Sequence, residues 1–162
     1  MKILGIDPGL QKTGWGIIET HGTKLGYVAS GLIKTTPQMP LYARLAALEH
    51  GLSNVVAQWH PDEAAIEETF INNNAASALK LGQARGVCMV APARAGLAVH
   101  EYAANLVKKS VVGTGHAAKG QIGMMIRVLL PRCGKLMEDE ADALAIAVCH
   151  AHHRASRERI GA

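Results

Sequence analysis

Aromatic side chains are scarce in this chain, with one Phe, two Trp and three Tyr among 162 residues. A core so short of rings has to be filled by Ala, Leu, Ile and Val, and 49% hydrophobic content is enough to fill one. Cysteine is sparse too. Cys88, Cys133 and Cys149 form an odd set without paired metal-ligand spacing. They read as buried or free thiols in a reducing compartment rather than as a disulfide framework. No apolar run of ~20 residues, signal peptide or transit peptide is read in the sequence, so a soluble cytoplasmic protein is expected. Repeats and low-complexity segments are also missing, and the length suits one compact domain. The net charge of +4, with an isoelectric point near 9.1, is a modest basic excess. By itself it says little about nucleic acid.

What is present is an ordered alternation of patterns. Residues 2 to 7 read as a buried strand that ends in the turn Asp7-Pro8-Gly9. Gly14 to Glu19 and Leu25 to Ile33 read as two more strands, joined at His21-Gly22-Thr23, so an antiparallel meander is expected. Leu41 to Trp59 has helical periodicity, with Leu41, Leu45, Leu48, Leu52, Val55 and Val56 on one side. Ala64 to Glu67 reads as a short strand. Ala75 to Ala91 reads as a helix stopped by Pro92, and Ala98 to Tyr102 as another strand. Helices are expected over Asn105 to Val112, Ala118 to Leu130 and Glu138 to about Arg154. The pattern predicts an α/β fold, a mixed sheet with helices on both faces, over residues 1–154. Residues 155–162 lose the apolar pattern and read as a disordered basic tail.

Four acids stand where desolvation is costly. Asp7 closes the first strand, Glu67 closes Glu63 to Ile66, and Asp139 and Asp142 precede the apolar run Ala143 to Val148. A carboxylate at such a place needs a partner or a cation. Each has a plain structural reading as well. Asp7 suits a turn before Pro-Gly, and acids in a first helical turn are favoured by the helix dipole. Alternation puts Glu67 and Glu68 on opposite faces without saying which one faces inward. Glu138 and Glu140 compete with Asp139. Their joint occurrence at the ends of core elements points to one acidic site for Mg²⁺ or Mn²⁺. Such cations most often act on phosphates.

These residues meet a family. The opening Met1 to Trp15 resembles that of the RuvC family of Holliday-junction resolvases, within the ribonuclease-H-like superfamily. So do Ala65-Ile66-Glu67 with Phe70, the block Ala75 to Gly86, Glu101 to Ala104, and Val107-Lys108. Val111 to Gly115, Ala118 to Gln121 and Ala141 to Ala147 complete the likeness, which runs from residue 2 to about 150. The resemblance implies a ribonuclease-H-like fold. It implies a homodimer that makes paired nicks in four-way junction DNA during recombination and repair, leaving 5′-phosphate and 3′-hydroxyl ends. The branch-migration proteins RuvA and RuvB are implied as partners, and no membrane. The catalytic and metal-holding acids fall on Asp7, Glu67, Asp139 and Asp142, which selects Glu67 over Glu68 and Asp139 over Glu138. Two Mg²⁺ per site are expected, with Mn²⁺ able to substitute. Two such cations ~3.5–4 Å apart suit an in-line displacement by water.

The resemblance also places functional lysines at Lys108 and Lys119, with Lys119 as a catalytic candidate that stabilises charge at the reacting phosphate. Lys109 lies beside them, and Lys80 and Arg85 are candidates for backbone phosphates. Solvated surface positions are the plain reading for all of them. Phe70 is either a core ring or a platform for an unpaired base. Gly82 and Gly86 are four apart, which suits either intramolecular packing or a dimer seam. His150, His152 and His153 beside Cys149 have poor zinc spacing, and His116 reads as a surface residue or DNA contact. Competing functions are a related nuclease acting on RNA, a non-catalytic DNA-binding module, and an actin-like ATPase. The last needs a longer chain with two lobes.

Overall fold

The computed structural model describes residues 1–68 and 74–161. In chain order the elements are β1 (Lys2–Asp7), β2 (Lys12–His21), β3 (Lys24–Lys34), α1 (Leu41–Trp59), β4 (Glu63–Glu67), α2 (Ala75–Arg94), β5 (Ala98–Tyr102), α3 (Ala104–Val112), α4 (Gln121–Leu129) and α5 (Glu138–Gly161). A short 3-10 turn, Pro131–Cys133, lies between α4 and α5. The five strands form one mixed sheet in the order β3-β2-β1-β4-β5. The meander β1–β3 is antiparallel, while β4 and β5 run parallel to β1.

Strand alternation divides the core in two. Leu4, Ile6, Ala64 and Ile66 pack against α1 and α2, with Leu48, Leu52 and Ala84 among their fully buried neighbours. Ile3 and Ala65 belong to the opposite face, with Leu144, Ile146 and Val148 of α5 and residues of α3 and α4. Helices therefore cover both faces, as the alternation predicts. Leu144 is fully buried, and truncating a side chain so placed costs about 2–5 kcal/mol.

Glycine sets how closely α5 lies. A Cβ at Gly5 would fall 2.0 Å from the Ala143 carbonyl oxygen, and one at Gly14 would fall 2.0 Å from that of Asp139. Bare backbone at these strand positions lets the helix backbone rest directly on β1 and β2.

Beyond shifts of one or two residues at strand and helix ends, three boundaries differ from the sequence expectation. Pro92 lies inside α2, which continues to Arg94. A proline in the last turn forfeits one amide bond but does not unwind the turns before it. α4 starts at Gln121 rather than Ala118, because Gly120 takes φ +81° and turns the chain there. The segment after Arg154, expected as a disordered tail, is a mostly exposed continuation of α5 to Gly161. Arg154 reaches Glu158 at 3.3 Å, one turn on, and Ser156 Oγ donates to the His152 carbonyl. Such i,i+4 contacts support a helix that has no apolar face.

Candidate active site

The sheet order brings Asp7 and Glu67 together. Ile6 and Ile66 are register partners on the parallel pair β1 and β4, so the acid that ends each strand lies at the same sheet edge. Parity selects the face. Asp7 alternates with Ile3 and Gly5, and Glu67 with Ala65, all toward α5. Glu68 lies one residue past the strand, where its amide donates to the Tyr102 carbonyl at 2.8 Å. From the other side, the first turn of α5 brings Asp139 and Asp142. One carboxylate oxygen from each of Asp7, Asp139 and Asp142 lies within 4.8 Å of the others. Glu67 lines the same cleft with Asp7, Asp142 and Lys108.

The electrostatics record the crowding. Burial pushes Asp7 up to about 8, helped by the nearby Asp142, Glu67 and Asp139 carboxylates. Burial also raises Asp142 to about 6, with Glu138, Glu67 and Asp139 adding to it. Glu67 is raised by burial, against the pull of Lys108. Without cations Asp7 keeps at neutral pH a proton that an ordinary carboxyl has released. Hard oxygen donors in a strained, half-buried group fit a divalent cation, whose charge reverses this logic.

The neighbouring acids have other work. Glu140 accepts from the Met137 amide at 2.8 Å and from Ser30 Oγ at 2.9 Å. It caps the start of α5 and ties it to β3. Glu138 lines a second cleft with Lys108, Lys119, Arg127 and Asp142. The two clefts share Lys108 and Asp142, so a basic-walled trough runs from the acids to Lys119.

The remaining candidates divide. Lys108 is half-buried at the acids, whereas Lys80, Lys109 and Lys119 are exposed. Arg85 has partners within the chain. Its Nε donates to the Glu67 carbonyl at 3.1 Å and its guanidinium pairs with Glu101, so it props the strand end that carries Glu67. Phe70 lies outside the described residues. His116 is exposed, and its carbonyl accepts from Thr114 Oγ1. The histidines after Cys149 do not gather: His150 turns inward to Glu63 and Tyr102, while His153 bonds the Cys149 carbonyl. All three cysteines are buried and unbridged.

Some contributors escaped the sequence reading. Thr13 is fully buried, and its hydroxyl donates to the Gly9 carbonyl, pinning the turn after Asp7. Arg127 shares the trough. Only its place two turns after Gly120 hinted at this. Gly14 was readable only as a strand residue, since what it admits is the backbone of a helix distant in sequence.

A mixed five-stranded sheet with helices on both faces and acids gathered at the edge where β1 and β4 end is the arrangement of a ribonuclease-H-like protein with a metal-binding acidic site. Comparison with known proteins narrows this. The family model described as Crossover junction endodeoxyribonuclease RuvC matches residues 3–150, and the chain belongs to that family. The RuvC of Azorhizobium caulinodans is 61% identical over 154 residues, covering 95% of this chain and 91% of that protein. The RuvC of Paramagnetospirillum magneticum is 56% identical over 160 residues, covering 99% and 96%. Among solved structures, Thermus thermophilus RuvC in complex with Holliday junction substrate superposes with a TM-score of 0.89 at 34% identity, covering 96% of each chain. Among the described residues no helix is long and apolar enough to cross a membrane.

Proposed function

We propose that this chain is a crossover junction endonuclease that resolves four-way DNA junctions by paired, symmetry-related nicks, with Mg²⁺ held by Asp7, Glu67, Asp139 and Asp142. The observation that carries this reading is the gathering of these acids from β1, β4 and α5, with Asp7 and Asp142 pushed up by burial and by one another. Family membership and the junction bound to the Thermus thermophilus relative give the substrate. When bound, divalent cations supply Lewis-acid polarisation of the phosphodiester and lower the pKa of a water.

The chain's own residues do the rest. The four carboxylates come from strand ends and a seated helix, so they are held without loop motion. Lys108, beside Glu67 and Asp142, offsets the negative charge of the cleft. Lys119 faces the adjoining cleft and stabilises charge developing on the phosphate. Lys80 and Lys109 add exposed positive charge for backbone phosphates. The products carry 5′-phosphate and 3′-hydroxyl ends.

The working form is a homodimer. One acidic cluster makes one nick, and a twofold assembly supplies the second. The exposed face of α2 supports this: Leu79 and Val90 are 65% and 51% exposed, and a Cβ at Gly82 or Gly86 would meet nothing within 4 Å. Among the described residues these glycines meet no packing partner, which leaves room for a second copy. RuvA and RuvB are the partners expected from family membership.

A synthetic four-way junction incubated with protein and Mg²⁺, beside a linear duplex, tests the reading. Selective, paired nicking is expected. Asp7→Asn, Glu67→Gln and Asp142→Asn are expected to bind the junction without cutting it, while Glu68→Gln keeps activity. Equal cutting of junction and duplex would remove the structure selectivity. Cleavage at the wild-type rate by an acid variant would remove that residue from the site.

A further inference from the structure

Midway along α5, some two turns past the acids, lies a second cluster, built from Glu63 of β4, His100 of β5 and His150 of α5. A nitrogen of each imidazole and an oxygen of Glu63 lie within 4.8 Å of one another. Four strand residues separate Glu63 from Glu67, roughly 13 Å. Eight helical residues separate His150 from Asp142, roughly 12 Å. The two clusters therefore share elements but not ligands.

Geometry and burial set this cluster apart from an ordinary surface pair. His150 is 1% exposed, with Nε2 at 2.6 Å from Glu63 Oε2 and Nδ1 at 2.7 Å from the Tyr102 hydroxyl. His100 stacks on it, ring centroids 4.4 Å apart. The Nε2 of His100 is buried and lies 3.6 Å from Glu63 Oε2. Among the described residues it has no hydrogen-bond partner. A buried ring nitrogen left so is costly, and it points at the same carboxylate oxygen that His150 already engages.

We propose that Glu63, His100 and His150 form a site for a borderline cation of the zinc class, separate from the acidic cluster, that ties β4, β5 and α5 together. Two imidazoles and one carboxylate are the donor set of zinc rather than of Mg²⁺, which takes oxygen. Around a tetrahedral zinc, ligand atoms stand roughly 3.3 Å apart. The His100–Glu63 separation is already close to this. The His150–Glu63 contact has to open by roughly 0.7 Å as the cation takes the place of the shared proton. That proton has somewhere to go: the Tyr102 hydroxyl can accept as well as donate, so Nδ1 of His150 can carry it while Nε2 ligates. Glu63 binds through Oε2, leaving Oε1 on Arg154 Nη1 at 2.8 Å. The guanidinium repels a dication, but at 41% exposure its field is screened. The side chains of His100 and Glu63, 30% and 20% exposed, leave an approach for the ion and a solvent-facing fourth position.

Co²⁺ is the probe, added to the full chain in excess Mg²⁺ so that the acidic cluster is already filled. One equivalent is expected to give the intense visible bands of four-coordinate Co²⁺, abolished by equimolar Zn²⁺. Zn²⁺ is expected to raise the melting temperature under the same conditions. Both effects are expected to vanish in His100→Ala and in Glu63→Gln, each checked for native circular dichroism, and either variant alone suffices if the other misfolds. Weak six-coordinate bands in the wild type would overturn the proposal and leave a metal-free hydrogen-bond network. Intense bands that persist in both variants would overturn it as well, placing the ion elsewhere, such as at Cys149 and His153.

Discussion

Replacing Gly14 by alanine tests whether α5 and its acids are placed by a missing side chain. The new Cβ would stand 2.0 Å from the Asp139 carbonyl oxygen and 2.5 Å from its carbon. Non-bonded heavy atoms settle near 3.5 Å, so one backbone must withdraw by roughly 1 Å or more. β2 lies between β1 and β3 and is held by ladders on both sides. The first turn of α5 is the part that gives. Overpacking of this kind costs about 1–3 kcal/mol, a fall in melting temperature of roughly 2–12 °C for a chain of this size. Asp139 and Asp142 move with the turn, and a 1 Å misplacement costs about 100-fold in rate. Single-turnover cleavage of a four-way junction at saturating protein, with melting followed by circular dichroism, measures both effects. Gly16→Ala is the comparison: its Cβ meets the Leu144 side chain at 2.6 Å, so it is expected to lose stability but less rate. A Gly14→Ala protein that melts and cuts like the wild type would refute the seating argument. One that melts lower yet cuts at full rate would show that the glycine does not position the acids.

Other outcomes follow from the same geometry. Without metal, the raised Asp7 and Asp142 hold protons that the unfolded chain releases above its ordinary carboxyl pKa. Their contribution is full below about pH 4 and is lost as pH climbs through about 6 and then about 8. The melting temperature of metal-free wild type should therefore fall relative to Asp7→Asn over that window, and Mg²⁺ should close the gap; parallel curves would contradict this. Arg85→Ala should slow cleavage while the salt slope of junction affinity stays put, because a lost phosphate contact would reduce that slope by about 0.9. Lys119→Ala should lower the single-turnover rate more than the affinity, and the reverse would make it a positioning contact. Gly86→Leu, on the open face of α2, should shift sedimentation toward monomer with the fold intact, whereas an undisturbed dimer would place the seam elsewhere.

The meander, α1 and β5 were legible because their signals are local: alternation, a 3.6-residue period and turn residues. The acids were legible as misplaced charges that belong to one site, and the choice among neighbours came from resemblance, since parity alone left Glu67 and Glu68 open. The contacts of Arg85 with Glu101 and the Glu67 carbonyl were not legible, because those partners lie far from it along the chain. His150 was weighed with the histidines next to it in sequence, yet its partners are Glu63, His100 and Tyr102, each distant along the chain. The continuation of α5 past Arg154 escaped because it rests on i,i+4 polar contacts, which leave no apolar period to read.

The first turn and the middle of α5 show how one helix serves opposite demands. Its first turn sets carboxylates against the carboxylates of β1 and β4, an arrangement that burial and repulsion disfavour in the metal-free chain. The cost is tolerable only because the rest of the helix is anchored. Ala143 to Ala151 is buried without a break, and Gly5 and Gly14 let the helix backbone lie on the sheet. Past mid-helix, Glu63 draws His150 and Arg154 onto β4. Glu63 and Glu67 thus open and close the same short strand, the first gripping α5 and the second facing its acids. A helix loose at His150 could swing its first turn away from Asp7 and relieve the repulsion. Anchoring at mid-helix is what keeps the acids poised for cations instead of drifting apart.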